Sequence, residues 1–261
     1  MSQKTKFYKY QGAGNDFILI DNRTGNFDRN DTDLIKHLCD RRFGIGADGL
    51  MLLQDTENFD FEMLYYNADG REGSMCGNGG RCIVAFARDL GIINHKTDFL
   101  AVDGEHQATI TEDQVNLGMV DVSVINRDGD AYVLNTGSPH YVKIVENLAN
   151  YAVYEEGSSI RNNDTYKEKG INVNFVEKEK DGYFVRTFER GVEDETLACG
   201  TGATAAAMAM ALNENQTGSI EIPIRVLGGK LFISFYREGD NFRNVFLKGP
   251  ANLVFEGTVE I

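Results

Sequence analysis

The sequence predicts an α+β fold of two pseudo-symmetric domains, each a curled mixed or antiparallel β-sheet wrapped around one central helix. Three observations lead there. Gly12-Ala13-Gly14-Asn15-Asp16-Phe17 and Ser74-Met75-Cys76-Gly77-Asn78-Gly79 in the first half match Thr136-Gly137-Ser138-Pro139-His140 and Leu197-Ala198-Cys199-Gly200-Thr201-Gly202 in the second. The spacing from Gly14 to Cys76 equals that from Gly137 to Cys199, 62 positions in both cases. Helical sequence follows each Cys-Gly-x-Gly, and strand-like alternation surrounds both helical stretches.

Each element follows from its residues. Ile18-Leu19-Ile20 and Tyr141-Val142-Lys143-Ile144-Val145 read as strands after the first matched motif. Phe43-Gly44-Ile45-Gly46 and Lys169-Gly170-Ile171-Asn172 then lead into further strands. Cys82 to Leu90 reads as a helix that Gly91 stops. Ala203 to Leu212 is helical by propensity but apolar on every side, so it belongs inside a sheet rather than on a surface. Alternations at Phe61–Tyr66, Tyr183–Phe188, Leu231–Phe235 and Val245–Leu247 supply strands to enclose the helices. The expected division is 1–120 and 121–261, with a boundary near Gly118 to Arg127 and the last strand of the chain a candidate to join the first half.

Composition narrows the class. With 261 residues, 42% hydrophobic, the chain has material for a sizeable core. A net charge of −14 disfavours nucleic acid and anionic membranes as partners. The segment from Met1 to Tyr10 is polar, without the apolar core of a secretory signal, and no run nears the ~20 apolar residues that cross a bilayer. The expectation is a cytoplasmic protein acting on a small molecule. Cys39, Cys76, Cys82 and Cys199 are scattered without a Cys-x-x-Cys, so neither a zinc cage nor a disulfide framework is expected, and no metal.

Gly44-Ile45-Gly46-Ala47-Asp48-Gly49 matches the dinucleotide fingerprint only in its glycines. The fingerprint needs a strand before and a helix after. Here a helix over Asp33–Arg42 precedes and the strand Leu50–Leu53 follows, so a glycine-rich turn is expected. No Gly-Lys-Ser/Thr ends the glycines after Cys76, which excludes a Walker loop. His37 reads as a surface or packing residue.

The chemistry points to Cys76 and Cys199, each in the turn that opens a buried helix. Unpaired N–H groups and the helix dipole there favour an anion, either a thiolate or a substrate carboxylate. Gly77, Asn78, Gly200 and Thr201 are the carboxylate-binding candidates through their main-chain N–H groups. In a pseudo-twofold chain the two helix starts could face one another across a cleft. One thiolate would then remove a proton while the opposite thiol returned one, inverting a stereocentre as a coupled pair. Cys39 and Cys82 lack matched partners and are read as packing residues.

At these motifs the sequence resembles the diaminopimelate epimerases along nearly its whole length. The matching pieces are Gly12-x-Gly14-Asn15-Asp16-Phe17, Asn67-Ala68-Asp69-Gly70, Met75-Cys76-Gly77-Asn78-Gly79-x-Arg81-Cys82, Glu189-Arg190-Gly191 and Glu195-Thr196-x-Ala198-Cys199-Gly200-Thr201-Gly202. The resemblance implies that family's fold, and a homodimer interconverting LL- and meso-diaminopimelate without cofactor, pyridoxal or metal, for lysine and peptidoglycan synthesis. It implies that Cys199 deprotonates the LL isomer and Cys76 supplies the new proton. Asn15, Asn67, Asn172, Glu189 and Arg190 fall to the substrate's polar groups, and His140 and Glu189 to tuning the thiols. That division suits an amino-acid end, whose carboxylate matches Arg and whose ammonium matches carboxylate or amide oxygens.

The chain departs from the family's pattern in three places. Ser138 stands where an Asn often precedes Pro-His, Gly49 where many members carry a substrate-contacting Gln, and Gly191–Glu195 is one residue longer than the commonest form. Ser138 and Gly49 are therefore weaker candidates for substrate contact. The alternatives are a proline, hydroxyproline or histidine racemase on the same scaffold, a thiol–disulfide oxidoreductase, and an amino-acid-binding protein. Asn78 speaks against the proline racemases, which carry His there. The retained cysteine pair speaks against dehydratase relatives with Thr and phenazine-type isomerases with carboxylates.

Overall fold

The structure is a computed structural model describing residues 4–73 and 75–261. Met1–Gln3, at the head of the polar N-terminal segment, and Ser74, of the first cysteine motif, lie outside the described residues. The chain divides into two compact units: the described residues up to Leu117 together with Pro250–Ile261, and Gly118–Gly249.

The first unit begins with strands β1 (Lys4–Gly12) and β2 (Asn15–Asp21), an antiparallel pair turned at Ala13-Gly14. Helix α1 (Thr32–Cys39) follows, capped by Asp31, whose Oδ1 accepts the Leu34 N–H at 2.9 Å. The expected helix to Arg42 stops three residues early. Asp40 turns to extended geometry (φ −65°, ψ 126°), and its Oδ1 accepts the N–H groups of Arg42 and Phe43 in place of helical carbonyls. Gly44 then lies against the helix end so closely that a Cβ would sit 2.0 Å from the His37 carbonyl oxygen. The glycine-rich stretch is thus a helix-stop turn into β3 (Gly49–Gln54), not a phosphate loop.

Strand β4 (Glu62–Asn67), helix α2 (Gly77–Asp89) and strands β5 (Lys96–Ala101), β6 (Gly104–Thr111) and β7 (Gln114–Gly118) complete the run. Consecutive pairings are antiparallel (β1·β2), parallel (β2·β3), antiparallel (β3·β4), parallel (β4·β5) and antiparallel (β5·β6, β6·β7). Helix α2 touches β1, β2, β3 and β6, so the sheet curls around it. Ile18, Ile20, Leu50 and Leu52 face outward onto Ile35 and Leu38 of α1. Strands covered on both faces need unbroken apolar sequence, which is why β2 and β3 read as runs rather than alternations.

The second unit repeats this plan. Its elements are β8 (Ile125–Asp128), β9 (Ala131–Asn135), β10 (Pro139–Ile144), α3 (Val153–Arg161), β11 (Asn172–Glu179), β12 (Gly182–Glu189), β13 (Asp194–Thr196), α4 (Gly200–Asn213), β14 (Gly218–Val226), β15 (Gly229–Glu238) and β16 (Asn241–Pro250). The pairings recur in the same order: β9·β10 antiparallel, β10·β11 parallel, β11·β12 antiparallel, β12·β14 parallel, then β14·β15 and β15·β16 antiparallel. Helix α4 is buried from Gly200 to Ala211 except at Thr201, among β9, β10, β11, β12, β14 and β15. Small alanines let those strands approach on every side. Helix α3 covers the outer face through Val153, Phe175 and Phe188. The last strand, β17 (Asn252–Glu260), belongs to the first unit and pairs antiparallel with β1, as β8 does with β9.

Candidate active site

Both central helices begin one residue after a cysteine, earlier than propensity alone indicates. Cys76 (φ −112°, ψ 125°) and Cys199 (φ −115°, ψ 110°) are the N-cap residues of α2 and α4. Glycines at the start of each helix mask it in the sequence, while burial holds it helical. The first N–H groups of an α-helix have no intrahelical partners, so each sulfur sits beside a cluster of donors.

In the first unit, Cys76 is half-buried and its Sγ donates to Asn15 Oδ1 at 3.8 Å. Asn78 Nδ2 donates to the same oxygen at 3.3 Å. The Asn15 amide is oriented by Asp48, whose Oδ2 accepts from Asn15 Nδ2 and from the Asp16 N–H. Arg41 bridges Asp16 and Asp48 at 2.6 and 2.7 Å, and Lys9 binds Asp16 at 2.7 Å. Asn78 is held from behind by the fully buried Arg81, which donates to Asn78 Oδ1 (2.9 Å), the Gly77 carbonyl (3.1 Å) and the Pro250 carbonyl (3.4 Å). Burial lowers the Arg81 pKa, with Cys82 and Cys76 acting against it.

Asn67 stands exposed at the end of β4, paired across the strands with Gly49. A Cβ at Gly49 would lie 2.5 Å from the Tyr66 carbonyl oxygen and 2.6 Å from the Tyr65 ring. The Tyr65 side chain therefore occupies the space a Gln there would need.

In the second unit, Cys199 is buried and its Sγ lies 3.5 Å from Thr201 Oγ1. Thr201 Oγ1 is 3.3 Å from Ser138 Oγ, which in turn lies 3.0 Å from His140 Nε2 and accepts from Asn172 Nδ2 at 3.0 Å. Asn174 Nδ2 donates to His140 Nδ1 at 3.1 Å, and Asn174 Oδ1 accepts from Thr187 at 2.9 Å. Thr136 Oγ1 donates to the Thr201 carbonyl at 2.8 Å. Asn172 also binds the Pro139 carbonyl (3.2 Å) and the Arg190 N–H (2.9 Å), so its amide serves protein contacts. Arg190 is exposed, with Nη1 on the Lys169 carbonyl, and Glu189 accepts from Thr196 at 2.8 Å.

Burial, with a smaller contribution from the Arg190 charge, pushes the His140 imidazole down to about 3, so it is neutral at physiological pH. Burial pushes the thiols of Cys39 and Cys82 up to about 12 each, which keeps them protonated and makes them packing residues.

The structure thus gathers Cys76, Asn15, Gly77 and Asn78 in one unit, and Cys199, Gly200, Thr201, Ser138, His140 and Asn172 in the other. Asn67 and Gly49 lie at neighbouring strand ends of the first unit, and Glu189 and Arg190 at the end of β12 in the second. Sequence reasoning missed Asp48, Arg81, Thr136 and Asn174. Two of these left a signal: Asn172 and Asn174 alternate with Val173 and Phe175 onto one face at the start of β11, and Arg81 is the only charged residue in α2 before Arg88. Among the described residues, no three His, Cys, Asp or Glu side chains are grouped to hold a metal ion, and no helix is long and apolar enough to cross a membrane.

A family model described as diaminopimelate epimerase matches residues 7–125 and 132–254. The chain belongs to the diaminopimelate epimerase family. It is 56% identical to a diaminopimelate epimerase of Flavobacterium psychrophilum, over 97% of this chain and 100% of that one. With the diaminopimelate epimerase of Chlorobaculum tepidum it shares 44% identity, over 96% and 99% of the two chains. Among solved structures, a phenazine biosynthesis protein of the PhzF family from Bacillus anthracis superposes with a TM-score of 0.80 at 13% identity, over 99% and 100% of the two chains. A hydroxyproline epimerase from Agrobacterium vitis gives 0.70 at 13% identity, over 99% and 93%. At that identity the likeness is one of fold, and two units that each wrap strands around one central helix are what the repeat predicts.

Proposed function

We propose that the chain converts LL-2,6-diaminopimelate to the meso isomer by proton transfer between Cys76 and Cys199, without a cofactor, in lysine and peptidoglycan synthesis. The observation carrying this reading is a cysteine at the N-cap of each repeated central helix, in a chain so similar to named epimerases of this compound. The reaction moves one proton off the α-carbon to the Cys199 thiolate. The Cys76 thiol delivers its proton to the opposite face, so the carbon is inverted and each sulfur ends in the state the other began in. The substrate carboxylate and the developing carbanion call for fixed donors, which the N–H groups of Gly77, Asn78, Gly200 and Thr201 supply. Asn15, Asn67, Asn172, Glu189 and Arg190 serve the substrate's polar groups, directly or by holding those that do. Ser138 and Gly49 are weaker contacts, with Tyr65 the stand-in at the second. The chain acts as a homodimer in the cytoplasm, where both sulfurs stay reduced.

Incubation of the reduced protein with LL-diaminopimelate in D2O is expected to place deuterium at one α-carbon as the meso form accumulates. Cys76→Ala and Cys199→Ala should each abolish inversion. Full activity in either variant overturns the two-thiol mechanism, and turnover of proline in place of diaminopimelate overturns the substrate.

A further inference from the structure

The two cysteines occupy equivalent positions at helix N-termini, yet the side chains Asn15 and Thr201, hydrogen-bonded to them, differ in polarity. Asn15 and Ser138 each follow the matched glycine, Gly14 or Gly137, and Asn78 and Thr201 each stand two residues after the matched cysteine. In the first unit the pair Asn15 and Asn78 presents an acceptor to sulfur. Asn15 turns its Nδ2 to the Asp48 carboxylate, which leaves Oδ1 to accept from Cys76 Sγ at 3.8 Å. An acceptor beside sulfur favours the thiol.

In the second unit the direction can be followed from backbone groups, whose donor and acceptor roles are not open to choice. The Arg190 N–H donates to Asn172 Oδ1 (2.9 Å), and the Pro139 carbonyl accepts from Asn172 Nδ2 (3.2 Å), so Asn172 presents an N–H to Ser138 Oγ at 3.0 Å. The Tyr141 carbonyl accepts from Asn174 Nδ2 (3.1 Å), which fixes that amide with Nδ2 toward His140 Nδ1 (3.1 Å). A neutral imidazole accepting at Nδ1 carries its one N–H at Nε2, and this donates to Ser138 Oγ at 3.0 Å. With two donors upon it, the Ser138 hydroxyl has its own proton left to give, and the remaining partner is Thr201 Oγ1 at 3.3 Å. Thr201 then gives its proton to Cys199 Sγ at 3.5 Å. A hydroxyl donor on sulfur favours the thiolate.

Resting on the proposed role of Cys199, we infer that Ser138 and Thr201 form a directed hydroxyl relay, aimed by His140 and Asn172, that stabilises the Cys199 thiolate in the substrate-free protein. Ser138 acts as a positioning residue, because it reaches sulfur only through Thr201. An amide at position 138 could present either end to Thr201, whereas a hydroxyl held by two donors can only donate. The same positions in the first unit favour the Cys76 thiol, so the protein rests with its base and acid already assigned. The charged and titratable groups on the strands around this relay are His140 and Lys143 on β10, Glu177, Lys178 and Glu179 along the far half of β11, Arg186, Glu189 and the adjoining Arg190 on β12, and Asp194 and Glu195 on β13, where Arg186 binds Glu195 at 2.5 Å. Arg237 lies at the opposite end of α4, on the Ala211 carbonyl.

The test is the pH dependence of iodoacetamide alkylation at Cys199 in the full, substrate-free chain, read by mass spectrometry of the Cys199 peptide. In Ser138→Ala and in Thr201→Val, the alkylation midpoint is expected to rise by about one pH unit, a roughly tenfold loss of thiolate below the midpoint. Ser138→Thr and Thr201→Ser keep the hydroxyl and should restore the parent curve, while the Cys76 midpoint in the same samples should not rise. Either alanine-type variant suffices if the other fails to fold. An unchanged Cys199 midpoint in a folded Ser138→Ala or Thr201→Val protein overturns the relay, as does an equal rise in the hydroxyl-keeping variants. Loss of the catalytic reading would show separately, as retained epimerisation in Cys199→Ala.

Discussion

Gly79 and Gly202 occupy the same position of the two Cys-Gly-x-Gly turns, and adding one methyl group should be costly at Gly202 and nearly neutral at Gly79. A Cβ at Gly202 would lie 2.3 Å from Asn174 Oδ1, about 1 Å inside ordinary contact. Asn174 cannot yield cheaply. It is fully buried and bound to His140, Tyr141 and Thr187 by hydrogen bonds of 3.1, 3.1 and 2.9 Å. Overpacking costs about 1–3 kcal/mol, and each polar group stranded by a displaced Asn174 costs about as much again. The gain in helix propensity from Gly to Ala returns about 1 kcal/mol. Gly202→Ala should therefore destabilise the second unit by about 2–4 kcal/mol, or roughly 5–15 °C in melting temperature. At Gly79 the nearest atoms are Met51 Sδ at 3.3 Å and Cys76 Cβ at 3.6 Å. A methionine gives way by a few tenths of an ångström, so Gly79→Ala should stay within about 1 kcal/mol of the parent. Scanning calorimetry and urea unfolding of both variants measure this directly. A Gly202→Ala protein that melts with the parent, or a Gly79→Ala protein that melts below it by more, would refute the reasoning.

Burial opposes ionisation of Asp16, but hydrogen bonds and charge from Arg41 and Lys9 outweigh it and hold the carboxyl well below the usual carboxylate range. A depressed carboxyl contributes stability that is present above its unfolded value, near ~3.9, and lost as pH falls toward the folded one. Asp16→Asn should therefore cost about 1–2 kcal/mol at pH 7, after allowance for screening of a partly exposed cluster, with the gap closing below about pH 4. Melting curves of the two proteins from pH 7 to pH 2 would show a constant gap if the ion pairs do not matter. His140, pushed down to about 3 by burial, should stay neutral through pH 5 in an NMR titration of its imidazole. Its contribution to stability is present above about 6.5 and declines by at most about 1.4 kcal/mol per pH unit as the solution is acidified toward that lower value. A titration midpoint between about 6 and 7 for this side chain contradicts the buried, singly protonated ring.

Much of the architecture was legible because it repeats. The equal spacing of Gly14 to Cys76 and Gly137 to Cys199 reflects one supersecondary plan used twice, down to the same order of parallel and antiparallel pairings. The helices themselves read short. Cys82 to Leu90 and Ala203 to Leu212 are the parts with helical propensity, whereas Gly77–Arg81 and Gly200–Gly202 became helical only because the sheet encloses them. The opposite error occurred at α1, where the pattern ran to Arg42 but the Asp40 side chain captured two N–H groups and ended the helix at Cys39.

The cysteine pair belongs to what the sequence determined by itself, since a matched residue at a matched helix start depends only on local order along the chain. The surroundings of each sulfur were decided by the tertiary structure. Asp48 reaches Asn15 from 33 positions away, Ser138 meets Thr201 across 63, and Asn174 meets His140 across 34. The first and last of those meetings come from parallel register, with Phe17 beside Gly49 and His140 beside Asn172, and the second from the packing of α4 against β10; no periodicity in the sequence encodes either between distant elements. Residue type supplies the donors and acceptors, but only the folded backbone, through the Arg190 N–H and the Pro139 and Tyr141 carbonyls, orients them and gives the two equivalent thiols opposite neighbours.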